Sequence, residues 1–254
     1  MSIHPHAENF VYAADLVFEK GMTVSKMLEK GRSEIHKICN EFDKLGITIK
    51  GNTLFRLLGI EAFSLLEEAG CKVFGDYKLF DVQSTCSNDG SMLQNISNLK
   101  ILTTFIRVHP EVFTNLSVML HDVIIAPVGP LTDLEDKEFF NRGEVDRKTA
   151  VKTFFNEVAK LPVNGVVSSP RDINLSPVGF KDSHTLIVPG IRPLYTFIKG
   201  DTNTANALTP AAAIEAGADI LVVGSPVRHK GSTMRNNAIR ILDEIGEAKE
   251  RIKT

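Results

Sequence analysis

Short apolar, β-branched runs alternate along this chain with longer stretches in which apolar residues recur at helical spacing. The short runs fall at residues 10–16, 46–50, 72–78, 100–105, 122–128, 165–169, 185–189 and 219–224, and they read as eight strands. Between them, Val151, Phe154, Phe155 and Val158 repeat at i, i+3, i+4 and i+7, as do Ala238, Ile241, Leu242 and Ile245. Leu54, Leu57 and Leu58, followed by Ala62, Leu65, Leu66 and Ala69, trace one helical face. Thr209-Pro210 opens a helix, with Thr as N-cap and Pro in the first turn, and Gly217 closes it. The charged stretch 21–34, which contains Gly31, reads as a helix pair or an elaborated first crossover. The segment 132–147 reads as a polar, acidic loop, with Phe139-Phe140 as core rather than lid.

Strands that alternate with helices define an α/β chain, either a closed (β/α)8 barrel or an open doubly wound sheet. The glycine-rich phosphate loops of the open nucleotide-binding sheets, GxGxxG after a strand or GxxxxGK[ST], are missing from the sequence. A length of 254 residues suits one barrel, and no Pro/Gly linker divides the chain. We therefore expect a single domain over residues 1–254, with 1–9 as an N-terminal tail.

The net charge of −2 gives no global field toward nucleic acid or a membrane, and neither partner is expected. No apolar run reaches membrane-spanning length. The first residues carry neither the basic nor the apolar part of a signal peptide. Cys39, Cys71 and Cys86 form no CxxC pair and suit reduced thiols. A cytoplasmic location follows from these three readings.

Catalytic groups of a barrel stand at the C-terminal ends of its strands. The first strand ends in Asp15 and the second in Lys50. The third carries Asp76 and Lys78, two apart and so on one side of a regular strand, with Asp81 just beyond. The sixth ends in Ser168-Ser169, and the last two end at Gly190 and Gly224, where backbone N–H groups can approach a ligand closely. Ionised groups crowded at a barrel mouth are costly unless they pair. Lys50, Asp76, Lys78 and Asp81 alternate in sign and suit a ring of pairs, each carboxylate holding a neighbouring lysine as ammonium. Such a ring sets a fixed negative charge beside a substrate carboxylate and an ammonium beside the carbanion left when carbon dioxide departs. The plainer reading of the triplet alone is a solvated charge run; its place at a strand end, with Lys50 on the strand before, favours the ring. His109 and His121 read as packing or surface residues, His4 and His6 as part of a frayed terminus, and nothing marks Cys86 as a nucleophile.

The segment Asp76-Tyr-Lys78-Leu-Phe-Asp81-Val-Gln-Ser-Thr85 resembles the DxKxxDxxxT signature of the orotidine 5′-monophosphate decarboxylases. Ile49-Lys50-Gly51 is similar to that family's second-strand lysine, and Ala14-Asp15 to its first-strand aspartate. Asn164 to Pro170, Val188-Pro189-Gly190-Ile-Arg192-Pro193, Gly200-Asp201, Leu208-Thr-Pro210 and Gly217 to Gly224 follow the family's later strands in order. The resemblance implies a single-domain TIM barrel that decarboxylates orotidine 5′-monophosphate to uridine 5′-monophosphate, in pyrimidine biosynthesis, with no metal or organic cofactor. It implies that Lys78 gives the proton to C6 of the pyrimidine and that Asp76 faces the departing carboxylate. Lys50 and Asp81 would complete the array. Asp15 and Lys50 would hold ribose hydroxyls, and Ser168 or Ser169 the base, Ser168 fitting the motif slightly better. It also implies a homodimer, with Asp81 and Thr85 reaching into the partner's site.

Two departures concern the phosphate. Thr202 stands where the family has glutamine, and Ser225 where it has arginine directly after the last strand's glycine. Backbone N–H groups near Pro189, Gly190 and Gly224, the Thr202 and Ser225 hydroxyls, and Arg228 or Lys230 remain as candidate phosphate contacts. The interval from Asp15 to Lys50 is also longer than the family's. The alternatives are a magnesium-dependent sugar-phosphate decarboxylase or aldolase of the same superfamily, and a non-catalytic barrel with a degraded phosphate site. The magnesium enzymes carry a metal-binding glutamate where this chain has Lys50, whose charge would repel a divalent cation.

Overall fold

A computed structural model describes residues 3–129, 146–197 and 207–253. Eight strands form one closed parallel barrel in chain order. They are β1 (Phe10–Ala13), β2 (Thr48–Gly51), β3 (Lys72–Leu79), β4 (Leu99–Phe105), β5 (Ile124–Val128), β6 (Gly165–Val167), β7 (Thr185–Pro189) and β8 (Ile220–Val223). Barrel strands are buried on both faces, which favours short apolar, β-branched runs, and all eight lie where those runs predict. Their ends differ from the expected ones by a few residues; β1 stops at Ala13 rather than at residue 16. Among the described residues no helix is long and apolar enough to cross a membrane.

The helices are α1 (Val24–Phe42), α2 (Thr53–Leu58), α3 (Ile60–Glu68), α4 (Gln83–Leu93), α5 (Pro110–Met119), α6 (Arg147–Val158), α7 (Pro210–Glu215) and α8 (Met234–Lys253). Of the two expectations for residues 21–34, a helix pair or an elaborated first crossover, the pair does not form: the stretch enters one helix, α1, capped by the Thr23 side chain on the Lys26 N–H. Gly31 does not break it. A Cβ there would lie 2.9 Å from Leu57, so the glycine lets α1 close onto α2. The true pair is α2 and α3. Their shared apolar face predicts one helix, but Gly59 takes a positive φ of 59° between them. Thr209 caps α7 through the Ala212 N–H, as its sequence predicts. Phe139 and Phe140 lie outside the described residues.

Two apolar layers result. Val11, Ala13, Phe74, Ile101, Ala126, Ile187, Ile220 and Val222 fill the barrel interior. A larger layer, including Tyr12, Phe42, Phe55, Phe113 and Phe155, lies between strands and helices. The segment expected as a tail is partly built into this fold. Ala7 and Asn9 are buried. The Asn9 amide donates to the Asp219 carbonyl, and Lys249 donates back to Asn9. The floor of the barrel is thus tied down, which leaves the opposite, C-terminal rim to carry chemistry.

Candidate active site

Asp76 stands near the end of β3, buried, with 7% of its surface exposed. Lys50 Nζ approaches its Oδ2 at 2.9 Å and Lys78 Nζ its Oδ1 at 2.7 Å. One carboxylate therefore sits between two ammonium groups. Burial pushes the Asp76 carboxyl upward, but the charges and hydrogen bonds of Lys50 and Lys78 outweigh it and hold the group below its ordinary value. Asp15 joins from β1's exit, 3.9 Å from Lys50.

Asp76 and Lys78 do share a side, but not through regular alternation. β3 pairs with β4 at Gly75↔Leu102 and again at Leu79↔Thr104, so three residues of β3 face one of β4. The extra residues form a bulge, and Lys78 sits in it with a φ of +48°. For a residue other than glycine that conformation costs roughly 1–2 kcal/mol. Such strain persists only where surrounding contacts hold it, and it concentrates at functional sites. Here the holding contact is Thr103 of β4, whose hydroxyl accepts the Lys78 N–H at 2.9 Å. Sequence reasoning missed Thr103. The signal was present: it is polar, and it lies two residues beyond the inward-facing Ile101 of the same strand.

The expected ring does not close within one chain. Asp81 is exposed, and its Oδ1 accepts the neighbouring Val82 N–H at 2.7 Å. Thr85 is also exposed, on the first turn of α4. Phe80 and Val82, on either side of Asp81, leave 67% and 65% of their surface uncovered.

Ser168 and Ser169 follow β6 and are both buried. The Ser168 hydroxyl donates weakly to the Ser169 carbonyl at 3.4 Å. The Ser169 hydroxyl has no partner among the described residues. Pro189 ends β7 and Gly190 turns away with a φ of +78°, beside Pro170. Gly224 and the exposed Ser225 follow β8. Thr202 lies outside the described residues. Arg228 follows Ser225 in the turn after β8. Its Nε donates to the Tyr12 hydroxyl at 2.5 Å and its Nη2 to Glu34 at 2.6 Å. Tyr12 belongs to the layer outside the barrel, so Arg228 ties the turn after β8 to β1 and α1. Cys86 is buried, which pushes its thiol upward, away from the reactive thiolate. Cys71 is pushed up to about 12 by burial first of all. His109 caps α5 by accepting the Glu111 N–H, and exposed His121 pairs with Asp122.

The chain is thus a closed eight-stranded parallel barrel whose rim holds a carboxylate clamped by two lysines. More specifically, residues 8–241 match the Orotidine 5'-phosphate decarboxylase / HUMPS family, and the chain belongs to that family. It is 28% identical over 216 residues to the orotidine 5'-phosphate decarboxylase of Idiomarina loihiensis, covering 80% of this chain and 88% of that protein. Over 192 residues it is 31% identical to the enzyme of the same name from Rhodopseudomonas palustris, covering 74% and 78%. The fold also matches the crystal structure of orotidine 5'-phosphate decarboxylase from Lactobacillus acidophilus, with a TM-score of 0.69 at 20% identity, covering 94% of this chain and 99% of that one.

Proposed function

We propose that this protein decarboxylates orotidine 5′-monophosphate to uridine 5′-monophosphate without a cofactor, through the array Lys50–Asp76–Lys78. The observation that carries the reading is the Asp76 carboxylate fixed between the two ammonium groups at the barrel rim. A substrate carboxylate set beside Asp76 meets a charge that cannot move away. Loss of carbon dioxide breaks the C6–carboxylate bond and leaves its electron pair on C6. The Lys78 ammonium stabilises that pair and then delivers its proton to C6, and the resulting amine regains a proton from water. Lys50 and Asp15, 3.9 Å apart, suit the ribose hydroxyls. The buried Ser168-Ser169 pair suits the base. The turns at Pro189, Gly190, Gly224 and Ser225 suit the phosphate, as the loops after strands seven and eight do in many barrels.

The test is turnover followed by ultraviolet absorbance, with and without EDTA. The expected result is decarboxylation that chelation leaves unchanged. Loss of turnover on chelation would move the protein to the magnesium-dependent relatives. That outcome is disfavoured because a divalent cation at Asp76 would meet the Lys50 and Lys78 charges. Absence of turnover under both conditions would leave a binding barrel, the reading that Thr202 and Ser225 motivate.

A homodimer with shared sites belongs to the same proposal. Among the described residues Asp81 has no lysine partner, and the exposed Phe80 and Val82 beside it offer apolar surface for a second copy. Mixing inactive Lys78→Ala and Asp81→Ala proteins under subunit exchange is expected to restore part of the activity, because one site of each mixed dimer is then whole. An active monomer at assay concentration removes the dimer from the proposal.

A further inference from the structure

Thr103 is buried, with 1% of its surface exposed, directly beneath the charged array. A hydroxyl has one proton to give and two lone pairs to offer. One lone pair takes the Lys78 N–H at 2.9 Å. The proton has two possible destinations: the Asp76 Oδ1 at 3.1 Å, or the Gly75 carbonyl at 3.5 Å. The shorter contact to the ionised acceptor is the stronger one.

Both bonds matter for geometry. The bulge removes Lys78 from the regular β3–β4 ladder, and the Thr103 oxygen supplies the acceptor its N–H would otherwise lack. That contact fixes the left-handed backbone from which the Lys78 side chain departs. The second bond adds a donor to the Asp76 oxygen that also receives the Lys78 ammonium, so the carboxylate plane is set from strands β2, β3 and β4 together. We infer that Thr103 is a positioning residue for the reaction, orienting Asp76 and aiming Lys78 through a single hydroxyl. The role rests on the proposed decarboxylation, but the bonds themselves can be tested without it.

Thr103→Val removes both bonds at nearly constant volume, and Thr103→Ser keeps them. A lost hydrogen bond to a charged group predicts a fall in kcat of roughly tenfold to a hundredfold for the Val protein. KM should move much less, and the Ser protein should recover most of kcat. Unchanged kcat in the Val protein, or a Ser protein as poor as the Val one, would overturn the inference. Carboxyl carbon NMR titration of Asp76 provides a readout free of substrate. With its hydroxyl donor gone, the Asp76 midpoint should rise in the Val protein and return in the Ser protein; an unmoved midpoint overturns the inference equally. Wild-type protein that fails to turn over orotidine 5′-monophosphate, with the Asp76 midpoint still moving, would instead sink the decarboxylase reading alone. Thr103→Ala gives the same two measurements if the Val protein does not fold, which circular dichroism decides.

Discussion

Lys78→Ala is expected to abolish turnover of orotidine 5′-monophosphate, lowering kcat by roughly 10³-fold or more, because one side chain supplies both the proton and the cation beside the carbanion. The two roles act on the same atom of the same intermediate, so their effects are not simply multiplied. The loss should fall on kcat rather than on folding. Asp76 keeps its 2.9 Å contact with Lys50 and its bond to Thr103 when Lys78 is gone. Its protonation does change in a predictable direction. Burial pushes the carboxyl up, Lys50 and Lys78 pull it down, and removing Lys78 removes one of the downward pulls. A carboxyl held below its ordinary value contributes stability that is present above that value and is lost as pH falls through the folded one. The Lys78→Ala protein should therefore lose this contribution at a higher pH on acidification than the wild type. Steady-state kinetics and melting curves against pH measure the two effects separately. Near-normal kcat in the variant would exclude Lys78 as the proton donor.

The barrel was legible because its rule is local. Strands buried on both faces announce themselves as apolar runs, and Thr209-Pro210 caps its helix whatever lies elsewhere. The pairing of Lys50, Asp76 and Lys78 was legible from strand ends and sign alternation. Most of what was hidden depends on residues far apart in the chain, the Gly59 break being local. The Gly59 break between α2 and α3 interrupts an apolar face that is continuous in sequence. The bulge at residues 76–78 is defined only by its register against β4, so the role of Thr103 could not be read from β3 alone. Arg228 follows the last strand closely in sequence, yet its partners, Tyr12 and Glu34, lie 216 and 194 residues away. Asp81 illustrates a different limit, since the partner proposed for it lies on a second copy of the chain.

A second buried ion pair, Arg147–Asp172, was equally hidden, and breaking it is expected to produce the largest loss of stability. Arg147 opens α6, immediately after the cap formed by Asp146 on the Thr149 N–H. Its guanidinium meets Asp172 as a fork, Nε to Oδ1 at 3.3 Å and Nη2 to Oδ2 at 2.5 Å. Arg147 is 5% exposed and Asp172 4%, so neither charge has appreciable water of its own. Asp172 lies in the turn Pro170–Leu175 that follows Ser168-Ser169, so the pair anchors the segment proposed to read the base. Arg147→Met keeps the apolar stem and removes the charge, leaving a buried carboxylate unpaired. The predicted cost is about 3–5 kcal/mol, a fall in Tm of roughly 6–20 °C for a chain of this size. Adding Asp172→Leu should recover part of that loss, since two apolar groups of similar shape leave no charge stranded. The order of melting temperatures expected is wild type, then double variant, then Arg147→Met. A single variant that melts at or above the double one would show that Asp172 finds water or another donor when Arg147 is gone, and that the pair does not hold this turn in place.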